Sequence, residues 1–162
     1  MTPLLGDVVP KDVLLITNKV DGTNLLLQDH RMIFSLYNRQ FLKMGELSSS
    51  SSTTGDPNSS AAAANIERKQ QIWATISREI CAHDAMENVV IYPLVAQYMT
   101  DGDRFARESL REHAQIARLL QDMRHMNAGS HLFHQSAHHI MQLFREHIEK
   151  EETVLIPFIR EN

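Results

Sequence analysis

The sequence predicts an all-α fold, an antiparallel four-helix bundle wound up-down-up-down. Three observations carry this reading. Four long segments repeat apolar residues with the period of a helix. Two of the links between them are short and contain a glycine, which makes the flanking helices antiparallel neighbours. No segment alternates apolar and polar residues as a half-buried strand would.

The first helix is expected over about 24–47, with a stripe of Leu26, Leu27, His30, Ile33, Phe34, Tyr37 and Phe41. The second covers about 61–99, with Ile72, Trp73, Ile76, Ile80, His83, Glu87, Val90, Ile91 and Leu94. Pro93 falls inside it and should kink or end it, because proline lacks the N–H and clashes with the carbonyl four residues back. The third spans about 103–126, with Ala106, Leu110, His113, Ile116, Ala117 and Leu120. The fourth spans about 131–159, with Phe133, Ile140, Phe144, His147, Glu151, Val154, Leu155 and Phe158.

Between the first two helices, residues 48–60 offer no apolar side chain to bury and are expected to form a flexible excursion. The other links are Thr100-Asp101-Gly102 and Asn127-Ala128-Gly129-Ser130. Residues 1–22 are expected as an arm across a bundle formed by residues 23–162.

At 162 residues the chain suits one domain. Its apolar share of 43% and charged share of 22% are those of an ordinary globular protein. A net charge of −4 gives no reason to expect nucleic acid or an anionic membrane as a partner. No apolar run approaches the roughly 20 residues that span a bilayer. The N-terminal apolar residues are interrupted by Asp7, Pro10, Lys11 and Asp12, unlike a secretory signal. The lone Cys81 rules out an internal disulfide, fits a reducing compartment, and is expected to be at least half-buried. Cytosol or nucleus is the expected location.

Histidine is the compositional anomaly, with nine in the chain. Two segments 64 positions apart repeat one pattern. His83-Asp84-Ala85-Met86-Glu87 runs on to Pro93, and His147-Ile148-Glu149-Lys150-Glu151 runs on to Pro157. In each, Glu follows His by four positions, an aliphatic run follows, and Pro closes it. Residues four apart share a helix face, so each segment presents an imidazole with a carboxylate. His30 and His113 sit on the stripes of the other two helices. The chain therefore reads as His…His-x3-Glu twice, and two such faces suggest a two-metal site. The spacing from His30 to His83 is 53 and from His113 to His147 is 34, a difference close to the length of the serine-rich segment.

A lone histidine on an apolar face is usually a hydrogen-bonded core residue. Four of them, one per helix, with two inward carboxylates, are not explained that way. Carboxylates are almost never fully buried unless they are paired or bound to a cation. Two facing each other resist ionising together, and cations remove that conflict. Imidazole with carboxylate suits iron, manganese or zinc.

On these residues the chain resembles the hemerythrin-like (HHE cation-binding) family. His30, His83-x3-Glu87, His113 and His147-x3-Glu151 fall in order over about 24–160. The resemblance implies a four-helix bundle around a non-heme di-iron centre, with manganese or zinc as substitutes. It implies that Glu87 and Glu151 bridge the metals, with His30 and His83 on one and His113 and His147 on the other. Oxygen-carrying hemerythrins resemble this pattern but place a further histidine four residues after the third-helix one, where this chain has Ala117. Their last carboxylate follows its histidine by five, which makes Glu152 a rival to Glu151. The expected function is reaction with dioxygen or peroxide, as an oxidase, an oxygenase or a peroxide-decomposing enzyme. A small-molecule substrate or an external electron donor would take part. A non-catalytic iron, oxygen or redox sensor or store is the alternative, and reversible oxygen carriage is disfavoured by Ala117.

Other candidates flank these. Glu79 precedes His83 by one turn and is either a further ligand, an orienting group or a residue at the stripe's edge. Glu112 should point to the surface, and Tyr37 should pack in the core. His131, His134 and His138 should face solvent, and His139 should border the core.

Overall fold

The computed structural model of the chain describes residues 22–44 and 60–161. The expected arm and most of the expected serine-rich excursion lie outside these residues. Among the described residues there is no strand, and everything outside two short links is helical. Helix α1 comprises Gly22–Leu36 and the π turn Tyr37–Phe41 and runs on to residue 44. Helix α2 comprises Ser60–Met86, the π turn Glu87–Ile91 and Tyr92–Tyr98. Helix α3 is Gly102–Met123. Helix α4 comprises His131–Lys150, the π turn Glu151–Leu155 and Ile156–Glu161. Consecutive helices pack against each other and α1 meets the end of α4, which closes the four-helix bundle. No described helix is long and apolar enough to cross a membrane.

The links show why their residues are there. Asp101 adopts the left-handed region at φ 59°, which Asp tolerates better than most residues. A Cβ on Gly102 would fall 1.9 Å from the Val95 carbonyl oxygen, so α3 can start this close to α2 only with glycine. Ser130 caps α4, its hydroxyl accepting from the Phe133 N–H at 3.1 Å.

Pro93 neither ends α2 nor leaves it regular. The π turn before it passes one extra residue into the helix, and the Tyr92 N–H donates to the Glu87 carbonyl five residues back. The same device precedes Pro157, where the Ile156 N–H donates to the Glu151 carbonyl. Each π turn shifts the inward stripe by one position. Val90 and Leu94, expected inside, are 49% and 52% exposed, while Tyr92 and Val95 are buried. In α4, Val154 is exposed and Ile156 is buried beside Leu155. Helix α3 is regular, but its stripe passes through Ser109 rather than Leu110, and Ala117 faces outward. Cys81 is exposed, not half-buried. His139 is exposed as well, away from the core.

The apolar interior falls into two parts. The larger gathers Ile33, Ile76, Ile80, Ile116, Phe133 and Phe144 among others. The smaller gathers Tyr92, Val95, Ala106 and Leu155. Along every helix the predicted polar residues lie on the far side of the larger cluster. His83 follows Ile80, His147 follows Phe144, His113 precedes Ile116 and His30 precedes Ile33.

Candidate metal centre

The four-residue spacing stacks His83 on Glu87 and His147 on Glu151, with Nε2–carboxylate distances of 3.4 Å and 3.2 Å. His30 Nε2 reaches Glu151 Oε2 at 3.5 Å, and His113 Nε2 reaches Glu87 Oε2 at 3.4 Å. All six residues are at most 3% exposed. Ligand atoms of His30, His83, Glu87 and Glu151 lie within 4.8 Å of one another, and so do those of Glu87, His113, His147 and Glu151. Both carboxylates belong to both groups.

Three of the four outward nitrogens have their own partners, while His83 Nδ1 is buried without one. Nδ1 of His147 meets Glu112 Oε2 at 2.8 Å, and Glu112 is also held by the Lys150 ammonium. Nδ1 of His113 meets Asn88 Oδ1 at 2.9 Å, and Nδ1 of His30 meets Glu152 Oε1 at 2.8 Å. An acceptor on Nδ1 fixes the tautomer so that the Nε2 lone pair faces inward, the usual support of a metal-ligating imidazole. Glu112, expected at the surface, is therefore an orienting group, and so is Glu152, the rival ligand. Glu79 pairs with its neighbour Arg78 at 3.0 Å and belongs to neither group of ligand atoms.

Four of the inward atoms are unsatisfied, whereas His113 Nε2 and His147 Nε2 lie within hydrogen-bond distance of each other at 2.8 Å. His30 Nε2, His83 Nε2, Glu87 Oε1 and Glu151 Oε2 are buried without a hydrogen-bond partner. Buried polar atoms are nearly always paired, so four orphans aimed at one space fit a cation as the missing partner. The protonation equilibria show the same conflict. Burial pushes Glu87 up to about 7; burial acts on Glu151 in the same direction, but the His147 hydrogen bond and the nearby His30 ring outweigh it and hold Glu151 well below the carboxylate range. Burial pushes His83 down to about 4 and His113 to about 3. For His147 burial acts in the same direction, but hydrogen bonds to Glu112, Glu151 and Glu87 outweigh it and raise the ring to about 11. One imidazolium thus does part of the work that cations would do for the whole layer.

Two residues in this layer carry no expectation from the sequence. Tyr92 sends its hydroxyl to Glu151 Oε1 at 2.6 Å, with Glu87, His113 and His147 at 3.3–3.5 Å. Burial and the charges of Glu151 and Glu87 push its phenol upward, so it keeps its proton. In a regular helix a residue five beyond Glu87 points away from it, and only the π turn brings Tyr92 in. The available signal was the proline six beyond each glutamate. Asp84 is also buried, its Oδ1 3.6 Å from His113 Nε2, and burial pushes it up to about 7. The distal histidines divide. His131 is exposed, as is His138, whose Nδ1 lies 3.3 Å from the core Tyr37 hydroxyl. His134, expected in solvent, is half-buried, with the buried Lys69 ammonium at 3.0 Å.

Comparison with known proteins agrees with this architecture. Residues 21–159 match the hemerythrin HHE cation binding domain, and the chain belongs to that family. It is similar to a DNA nickase of Nostoc sp., 25% identical over 59% of this chain and 27% of that protein. It is also similar to an uncharacterized hemerythrin-like protein of Schizosaccharomyces pombe, 26% identical over 59% of this chain and 45% of that protein. The chain thus spans less than half the length of these relatives. No solved structure matches it significantly. Family and His/Glu layer together point to metal binding.

Proposed function

We propose that the protein is a non-heme di-iron protein that reacts with dioxygen or peroxide. The observation that supports it is the set of buried, unpartnered donor atoms on His30, His83, Glu87 and Glu151. His30 and His83 would hold one ion, His113 and His147 the other, with Glu87 and Glu151 shared between them. The chemistry such a pair supplies when bound is electron exchange with dioxygen or peroxide.

The chain's own residues do the rest. Glu112, Asn88 and Glu152 orient three of the imidazoles from their Nδ1 side. Tyr92 holds a proton at its hydroxyl inside the layer, within hydrogen-bond reach of both shared carboxylates. That gives the layer a neutral hydrogen-bond donor beside the residues that would hold the ions. The apolar clusters on either side keep bulk water from the layer. Ala117 is exposed and supplies no ligand atom, and Tyr92 is the further feature that supports reactivity.

A sensing or storage role is favoured by one feature, the dependence of a buried polar layer on cations, which couples folding to metal. Exposure of the reduced, iron-loaded protein to air and to peroxide tests the choice. Oxidation without a long-lived oxygenated species, with peroxide consumed over many turnovers, is expected. A single stoichiometric oxidation supports sensing, and intact oxygen released on lowering its pressure makes the protein a carrier. Nicking of DNA stays with the Nostoc relative, since the match covers 27% of it.

A further inference from the structure

We propose that the cleft between α1 and α4 binds a small organic anion, the substrate or electron donor of the metal centre; this rests on the di-iron reading above. The cleft has a volume of about 660 Å³, the size of a site for a metabolite rather than for a bare ion. Arg31 and Arg39 line it from α1 and Arg145 from α4, with Phe34 and Ile148 as its apolar surface. Its inner wall is the His30–Glu152 pair, so a molecule bound there touches an orienting group of the centre.

The charges are poised for an anion. None of the three arginines has a carboxylate partner among the described residues. Arg31 spends only its Nε, on the Leu27 carbonyl at 3.0 Å. The Arg145 guanidinium carbon sits 4.4 Å from the centre of the Phe34 ring, a cation–π contact that holds the charge at the cleft. Glu152 is committed to His30, which leaves Glu149 as the one uncommitted acid in the lining. Guanidinium forks match carboxylate and phosphate oxygens, and the ring and the isoleucine favour an organic body attached to them. Three arginines against two glutamates give the lining a positive excess that favours an anion over a cation.

Phenyl phosphate is the probe, titrated calorimetrically into the metal-loaded chain at low salt, with inorganic phosphate and benzyl alcohol as comparisons. Saturable one-to-one binding of phenyl phosphate is expected, tighter than inorganic phosphate, with none for benzyl alcohol. The double variant Arg39→Gln/Arg145→Gln should weaken it by about tenfold or more, the worth of charge-assisted hydrogen bonds. Both residues are exposed and outside the layer, so metal content and melting temperature should stay unchanged. Unaltered affinity in the double variant overturns the proposal. So does binding that survives the variant but disappears on chelation, which would mean direct coordination of the anion by metal. Arginine-dependent binding by a chain that holds no metal would keep the anion site and sink the di-iron reading. A loaded chain without phenyl phosphate binding would do the reverse.

Discussion

The apolar cluster around Ile80 and Phe144 and the polar layer on the next turn, around His83 and His147, are buried to the same degree but are completed differently. In the cluster every side chain gains from the one beside it, and burial itself supplies the stabilisation. In the layer burial works against each group. Carboxylates, imidazoles and a phenol face one another with atoms unpartnered, and their protonation equilibria are pulled in opposite directions. The difference teaches that the fold is built by one region and that the other region is carried by it, at a cost that a bound cation removes.

The comparison can be broken most sharply at the shared carboxylates. Glu151→Ala and His113→Ala should each lose metal altogether, as elemental analysis would show, while the helical circular dichroism remains. Retained metal in either variant would mean that the layer is not the binding site. Next in size is the cluster. Phe144→Ala removes a fully buried ring and should destabilise the loaded protein by roughly 3–5 kcal/mol in denaturant melts, with metal stoichiometry unchanged. Metal lost with Phe144 would erase the distinction between the two regions.

Within the layer, the outward partners should matter less than the inward atoms. Glu112→Gln should weaken metal binding by about 10–100-fold in a competitive chelator titration. Glu152→Gln should weaken it less, because Glu152 is 41% exposed and already partly solvated. A larger effect at Glu152 would return it to the list of ligands. The mildest expectation concerns pH. His147 is raised to about 11 and Glu87 to about 7, so near neutrality the metal-free layer still holds protons that ligation must displace. Metal binding should therefore release protons and tighten from pH 6 to pH 8, and affinity that falls over that range would contradict the assigned charges.

The four helices and the six inward residues were legible because each rests on the 3.6 period, and side chains four apart report a shared face without any tertiary knowledge. The π turns were not legible as such. A proline marks trouble for a regular helix, but whether the chain kinks, stops or takes in an extra residue depends on what packs beyond it. That one uncertainty accounts for the missed Tyr92 and for the misplaced Val90, Leu94 and Val154. Glu112 was read by its angle from the stripe as a surface residue, and Glu152 by its spacing from His147 as a rival ligand. Long side chains at a border reach back to the outer nitrogen of a buried imidazole on a neighbouring helix, a contact that depends on the register between helices and not on the period within one.

The most direct measurement is the metal content of the chain after anaerobic iron reconstitution and removal of loose metal, paired with its melting temperature against the metal-free form. The di-iron account predicts two irons per chain and a loaded form that melts well above the empty one. One iron or none, or equal melting temperatures, would contradict it.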